Sequence, residues 1–163
     1  MTDEQSSEIR AWDLMKKIGF CMLVTKDDQE MRSRPMAAHI EPGNNAIYFL
    51  TDASSEKDGE IENAADVLLA FADASAQKYV SVVGSAVVSN DREKISELWS
   101  TPAKAWWDSE NDPAIRILRV NAKSAELWDS PGTAVSYIKM AAAAVLGTKP
   151  DVGDNLKTEF NSN

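Results

Sequence analysis

The sequence predicts a mainly β fold, a barrel of antiparallel strands with helices at its periphery. Short apolar runs rich in β-branched and aromatic residues recur at close spacing along the chain, and turn-forming residues separate them. Helical periodicity is confined to the edges of this pattern, which favours a closed or split barrel over a doubly wound parallel sheet. The 163 residues suffice for one domain with one hydrophobic core.

The N-terminal part predicts a helix followed by a hairpin. Apolar residues recur at three- and four-residue steps over residues 6–18, as in an amphipathic helix that ends at Gly19. The apolar run over residues 20–25 predicts a strand, and residues 31–40 predict a second one. The polar residues 26–30 between the two strands suit a tight turn.

The middle of the chain predicts three more strands and one short helix. Residues 46–51 and 67–72 are apolar runs of strand type. Between them, a serine cap and early acidic residues predict a helix over about residues 54–63. Residues 79–89 predict a long β-branched strand, in which Gly84 indicates a bulge or a close approach of two backbones.

The C-terminal part predicts two helices and a final pair of strands. The first helix covers residues 91–99, and the strands cover residues 115–120 and 125–128. An alanine-rich helix over residues 135–147 is expected to pack on the barrel through three apolar side chains, Tyr137, Ile138 and Met140.

A change in composition predicts the end of the domain. After Gly147 the chain becomes polar and poor in aromatic residues. We expect a single domain over residues 1–147 and a polar tail over residues 148–163, which frays or lies along the surface.

Charge and cysteine content exclude several classes of partner. Seventeen Lys and Arg face twenty-six Asp and Glu, and the net charge of −9 repels nucleic acid and anionic membranes. The longest apolar stretch is far shorter than the roughly 18 residues of a membrane span, and the acidic N-terminus is unlike a secretory signal. Cys21 and His39 are the only residues of their types, so we expect no metal site and a reducing, cytoplasmic compartment.

Two segments carry the residue types that bind a phosphate monoester. Arg32 and Arg34 project from one side of the predicted second strand, because side chains alternate along a strand. Further along, Thr51 and Ser55 supply hydroxyl groups and Lys57 an amine where a helix is predicted to begin. A second interpretation stays open, in which the arginines are solvated on an outer sheet face and the other segment is a capped loop.

A series of short motifs occurs in a defined order along the chain. They are RPMAAH at 34–39, YFLT at 48–51, the spacing Thr51-x-x-x-Ser55-x-Lys57, IEN at 61–63, VLLAF at 67–71, VSVVGSA at 80–86, Trp106-Trp107, LRV at 118–120 and AELW at 125–128. In order and spacing they resemble the pyridoxamine 5′-phosphate oxidase-like FMN-binding split barrels, an antiparallel Greek-key type, and within them the bacterial general stress protein branch. The resemblance extends over roughly residues 8–130.

The resemblance implies how this chain would hold the flavin phosphate. FMN would lie at the interface of a homodimer that binds two flavins. Its phosphate would contact Arg34, Ser55 and Lys57, with Thr51 at the strand end beside the cofactor. Arg32 is a candidate for a second cationic contact.

The same resemblance implies the contacts of the flavin ring. Pro35, Met36 and Ala37 would contact the isoalloxazine ring through their backbone and small side chains. Tyr79 would reach the flavin from the partner subunit, and Trp107 would cover the ring.

The implied function is redox chemistry on an unidentified small substrate, as an FMN-dependent oxidoreductase. The oxidase motif that combines Trp, Arg, His and Asp in close order does not occur after Trp128, which argues against oxidation of pyridoxamine phosphate. No catalytic acid or base is assigned, and His39 is interpreted as a structural or flavin-adjacent residue. Two alternatives stay open: a stress protein that sequesters flavin without turnover, and a barrel that binds a partner protein and no cofactor.

Overall fold

The described part of the chain folds into one antiparallel sheet of eight strands with helices around it. The structure is a computed structural model that describes residues 3–26, 30–53 and 65–160. The strands are β1 Phe20–Lys26, β2 Met31–Ala37, β3 His39–Glu41, β4 Ala46–Asp52, β5 Ala65–Asp73, β6 Lys78–Ser89, β7 Ile115–Asp129 and β8 Asp154–Glu159. The helices of this part of the chain are α1 Asp3–Ile18, α2 Arg92–Leu98 and α3 Thr133–Leu146. The predicted mainly β fold with peripheral helices is confirmed, whereas the helix predicted over residues 54–63 lies outside the described residues.

The order of the strands explains why the sheet curls into a split barrel. The order is β2-β1-β5-β6-β7-β4-β3, with β8 also paired to β7. The strands β2 and β3 therefore lie at opposite edges, although Ala38 alone separates them in the chain. A sheet can satisfy this connection only by bending until its two edges meet. The sequence predicts one strand over residues 31–40, and this is wrong: the chain bends at Ala38, so that residues 31–37 pair with β1 and residues 39–41 pair with β4.

The interior of the barrel forms the main hydrophobic core. Alternate residues of the strands point inwards, and Leu23, Phe49 and Phe71 are at most 1% exposed. Helix α1 packs on this core, and the ring of Trp12 lies 4.5 Å from that of Phe160. A second, smaller cluster lies where α2 packs against β4 and β7; it contains Tyr48, Ile95, Leu98, Ile115 and Ile117.

A bulge keeps β7 continuous where two strands are predicted. The register shifts between Val83 and Gly84, so that Lys123 is an extra residue on β7. A Cβ at Gly84 would lie 2.5 Å from the carbonyl oxygen of Asn121, which confirms the predicted close approach. The sequence predicts a break between residues 120 and 125, but the bulge keeps these residues within one strand of 15 residues.

The structure corrects two expectations about the C-terminal part. The segment expected to fray or to lie along the surface contains β8, which pairs with β7, and its described part ends in the buried Phe160, so it does not fray up to that residue. The expected anchors of α3 are exposed, at 64% for Tyr137, 69% for Ile138 and 37% for Met140. Because nearly every position of this helix is apolar, the sequence pattern does not indicate which face packs.

Candidate functional site

A groove lies where the two edges of the curled sheet meet. It has a volume of about 400 Å³, within the range of about 300 to 1,000 Å³ typical of small-molecule sites. The ends of β2 and β4 form two of its walls, and the segment of residues 99–107 forms a third. The site is therefore assembled from parts of the chain that only the closure of the barrel brings together.

The first wall comes from the end of β2. Pro35, Met36 and Ala37 line the groove, together with Phe20, which pairs with Ala37 in the sheet. Proline has no N–H group to donate to a neighbouring strand, which suits a position on the edge strand β2. This wall is apolar.

The second wall comes from the end of β4. Leu50, Thr51 and Asp52 line it, and Thr51 is buried while its neighbours are half-buried. His39, at the start of the paired strand β3, also reaches the groove. This wall supplies the hydroxyl, carboxylate and imidazole groups of the site.

The third wall is the segment of residues 99–107, which carries two adjacent tryptophans. The indole N–H of Trp107 donates to a carboxylate oxygen of Asp52 at 3.3 Å, which fixes this ring against the second wall. Trp106 also lines the groove but is 81% exposed. Ser100, Pro102 and Ala103 complete this wall.

One arginine holds the chain that follows the tryptophans. The guanidinium of Arg92, the first residue of α2, donates to the carbonyl oxygens of Glu110 at 2.7 Å, Asp112 at 3.1 Å and Ile115 at 3.3 Å. These hydrogen bonds tie the return of the loop to the start of β7. Arg92 thereby positions the third wall without lining the groove.

The two arginines predicted to bind phosphate lie just before the first wall. Arg34 pairs with Leu23 and Arg32 with Thr25, both buried partners, so the arginines are on the core-facing side of the edge strand. Arg34 donates from Nη1 to the hydroxyl oxygen of Thr25 at 2.9 Å. The interpretation that placed these side chains on an outer sheet face does not agree with this register.

The structure unites some of the predicted site residues and separates another. Pro35, Met36, Ala37, Thr51 and Trp107 line one groove, with Arg34 adjacent in the chain. Tyr79, which is predicted to reach the flavin of the partner subunit, lies on the outer face of β6 and does not line the groove of its own chain. Ser55 and Lys57 lie outside the described residues.

Several lining residues have no signal in the sequence that identifies them. Phe20, Ser100 and Trp106 reach the groove through long-range packing, whereas His39 and Asp52 could have been inferred as neighbours of predicted positions. Burial lowers the pKa of His39, Glu41 opposes that change, and Lys94 adds to it. The imidazole is therefore neutral at pH 7 and can both donate and accept a hydrogen bond.

Other chemistries find less support in the described residues. Burial raises the pKa of Cys21 to about 12, so its thiol is not a nucleophile near neutral pH. Residues 3–26, 30–53 and 65–160 contain no group of three or more side chains able to hold a metal ion. None of the helices described in these ranges is long and apolar enough to span a bilayer.

The comparisons with known proteins agree with this architecture. A family model described as pyridoxamine 5′-phosphate oxidase like matches residues 6–151. General stress protein 26 of Bacillus subtilis is 31% identical over 87 residues, which cover 52% of this chain and 62% of that protein.

Solved structures of similar fold include two general stress proteins. One, described as a general stress protein 26 from Jannaschia sp. CCS1, has a TM-score of 0.79 and 24% identity, and the match covers 96% of this chain and 99% of that one. The other, the general stress FMN/FAD binding protein of Xanthomonas citri, has a TM-score of 0.68 and 25% identity and covers 76% and 89%.

Proposed function

We propose that this chain, which belongs to the pyridoxamine 5′-phosphate oxidase-like family, binds FMN in the groove and uses it in an oxidoreductase reaction on a small substrate. The observation that carries the proposal is the position of the groove. Its apolar wall of Pro35, Met36 and Ala37 begins directly after Arg34 in the chain. An aromatic ring and a phosphate attached to it would need these two environments side by side. The flavin-binding protein of Xanthomonas citri supports the choice of ligand.

The residues present fit the two ends of a flavin nucleotide. The isoalloxazine would lie along Pro35 to Ala37 and under the indole of Trp107, which Asp52 holds in place. The phosphate would be held by Arg34, assisted by Arg32 and by Ser55 and Lys57. A guanidinium is suited to this role because it presents several N–H donors in a plane.

The chain's own residues would orient the cofactor and restrict water. Flavin, when bound, supplies the transfer of a hydride or of electrons between a reduced donor and an acceptor. Trp106 and Trp107 would cover the cavity from the solvent side. Neutral His39 would offer one N–H donor and one nitrogen acceptor to a ligand in the groove.

We further propose that the protein is a cytoplasmic homodimer. A cytoplasmic location is supported by its single, buried cysteine. The dimer is supported by the outer apolar face, which we define as Phe20, Met22, Tyr79, Val83 and Val87, all between 37% and 64% exposed. Contiguous exposed apolar patches on soluble proteins are typical of interaction sites. Phe20 belongs both to this face and to the groove, so a second copy on the face would adjoin the flavin.

The phosphate assignment is tested by removing one cation at a time. Arg34→Ala and Lys57→Ala should each weaken FMN binding by about 10-fold to 100-fold, since a charge-assisted hydrogen bond contributes roughly 1.5 to 3 kcal/mol. Isothermal titration with FMN measures the change. Lys157→Ala, which removes one exposed cation from β8, a strand that does not line the groove, is the matched control and should bind FMN normally. Unchanged affinity in both Arg34→Ala and Lys57→Ala would refute the assignment.

Turnover is tested separately from binding. The visible spectrum of protein purified without added cofactor, with mass identification of any released molecule, distinguishes FMN from FAD and from an empty barrel. Anaerobic mixing with NADH or NADPH then measures reduction of the bound flavin. Bound flavin that neither donor reduces, and that no acceptor reoxidises after chemical reduction, would favour the sequestering alternative over the oxidoreductase.

A further inference from the structure

The helix α3 is inserted into a β-hairpin as an excursion from the sheet. Asp129, the last residue of β7, pairs directly with Asp154, the first residue of β8. The chain therefore leaves the sheet and returns to the same place after residues 130–153. We call this excursion the arm; α3 supplies 14 of its residues.

The root of the arm is fixed by charge and by backbone contact. The guanidinium of Arg10 in α1 pairs with Asp129 at 2.9 Å and with Asp154 at 3.1 Å, and Lys78 of β6 also pairs with Asp129. Gly153 has a φ of +115°, and a Cβ there would lie 2.6 Å from the carbonyl oxygen of Asp129. Arg10 thus bridges the two legs of the arm, Lys78 holds the first leg, and the backbones of the two legs are in close contact at Gly153.

The helix at the end of this root is apolar around nearly its whole circumference. Lys139 is its one charged residue. Ser136 and Ala143 are the residues of α3 that the structure describes as buried. The large apolar side chains are exposed: Val135, Tyr137, Ile138, Met140, Val145 and Leu146, from 37% to 86%. A helix that is hydrophobic all round is normally covered by another surface.

The same chain carries a surface of matching chemistry. The outer apolar face reaches the arm through the sheet register, because Tyr79 of that face pairs with Trp128, the residue before Asp129. At the other edge it reaches the groove through Phe20, which pairs with Ala37. One row of outward side chains therefore joins the root of the arm to the groove.

We propose that α3 of each copy packs on the outer apolar face of a second copy, so that the arms are exchanged about a twofold axis. The inference rests on the proposed homodimer and specifies which parts form it. A closed twofold contact would cover both uncovered surfaces with one chain type. The helix has no acidic residue, so it can approach a chain of net charge −9 without repulsion, whereas an anionic membrane would repel that chain.

The dimensions of the two surfaces are compatible with this exchange. Four steps between neighbouring strands separate β2, which borders the groove, from β7, which ends at the arm root, a distance of about 19 Å along the sheet. A helix of 14 residues is about 21 Å long. A twofold axis parallel to the strands would place the arm root of one copy opposite the groove of the other, and the arm would then border the flavin of its partner.

Charged substitutions on the arm test the proposal. Ile138→Glu and Val145→Glu should each convert a species of twice the chain mass of 17.9 kDa to monomer, with at least a 10-fold rise in the dimer dissociation constant. Thr148→Glu introduces the same charge at an exposed position just beyond the helix and should leave the dimer intact. Light scattering after size exclusion measures the mass, and far-UV circular dichroism verifies folding. Folded arm variants that remain as dimeric as the control would overturn the proposal.

A photo-crosslinker placed at Tyr137 tests where the arm lies. Irradiation of the full-length protein should yield a product of twice the chain mass, in which the attached peptide comes from β1 or β6. Attachment within the same chain only, or to a peptide away from the outer apolar face, would contradict the exchange. If the wild-type protein co-sediments with phosphatidylcholine vesicles, and Ile138→Glu loses this binding without a change in oligomeric mass, the arm binds a membrane. That result would also overturn the proposed exchange.

The mass readout separates this proposal from the flavin proposal. If the wild-type chain is a dimer that the arm variants dissociate, yet it binds no FMN, the arm assignment stands and the cofactor assignment fails. If the wild-type chain binds FMN and the arm variants stay dimeric, the reverse holds.

Discussion

The interior of the barrel and the arm have the same apolar chemistry and opposite exposure. Leu23, Phe49 and Phe71 are at most 1% exposed within the barrel, whereas Val145 and Leu146 on the arm are 86% and 73% exposed. The interior is enclosed because the β2–β3 connection forces the sheet edges together. The arm is inserted between two strands that pair with each other, and of α3 only the side that carries Ser136 and Ala143 is described as buried. Burial within one chain is thus decided by connectivity as well as by hydrophobicity.

The largest expected effect contrasts a core aromatic with an arm residue. Phe71→Ala should lower the free energy of unfolding by about 3 to 5 kcal/mol, because it leaves a cavity in the barrel. Ile138→Ala should change it by less than about 0.5 kcal/mol in dilute protein, and by more as protein concentration rises, since dimerisation stabilises only the folded state. Urea denaturation at several protein concentrations measures both. If Ile138→Ala lowers the free energy of unfolding as much as Phe71→Ala does, and equally at every protein concentration, the proposed difference between the core and the arm is wrong.

A smaller effect is expected where two backbones approach in the barrel wall. Gly84→Ala should destabilise by about 1 to 3 kcal/mol, because its Cβ would overlap the carbonyl oxygen of Asn121 and the side chain of Val120. Gly43→Ala is the matched control, since a Cβ there meets nothing within 4 Å. Thermal denaturation should show a clear drop for the first variant and little change for the second. Equal melting temperatures for the two variants would contradict the tight contact between β6 and β7.

The smallest expected effect concerns the root of the arm and depends on pH. Burial acts to raise the pKa of Asp129, but hydrogen bonds from Lys78 and Arg10 outweigh it and lower the pKa below the usual value of 3.8. A carboxylate with a depressed folded-state pKa stabilises fully above its unfolded pKa, and this stability is lost as pH falls through the folded value. Its contribution should be on the order of 1 kcal/mol.

Comparison of two aspartate variants measures that contribution. Asp129→Asn should be less stable than the wild type at pH 7, and the difference should vanish in acid below the usual aspartate range. Asp66→Asn, which alters an exposed pair with Lys123, should cost little at either pH. A difference for Asp129→Asn that persists unchanged in acid would show that the root is not held by its charge.

Much of the fold followed from local patterns in the sequence. The periodicity over residues 6–18 identified α1, and the apolar runs identified β1, β4, β5 and β6 within one or two residues. The wrong predictions of secondary structure lie where the same local pattern fits two different arrangements of distant strands. The break predicted between residues 120 and 125 is a bulge within one strand, and the residues around Ala38 look like continuous strand but form the corner of the barrel.

The candidate site was predicted in part, because its strand residues lie in short motifs. Pro35, Met36, Ala37 and Thr51 were identified through those motifs, and Trp107 through its place in an aromatic pair. Phe20 and Ser100 were missed since their sequence neighbourhoods carry no signal of a groove. They reach it only because barrel closure and the loop held by Arg92 bring them there.

By itself, the sequence determined the alternation of side chains, the antiparallel barrel class and the acidic, nearly cysteine-free character of the chain. Tertiary structure alone decided which strands became the edges, which residues met at the groove, and which apolar helix stayed uncovered. The physical reason is that alternation and helical period are properties of neighbouring residues, whereas enclosure depends on how distant strands pair. Burial of an apolar residue lowers the free energy of the folded state at any site, and the pairing of the strands decides which residues are buried.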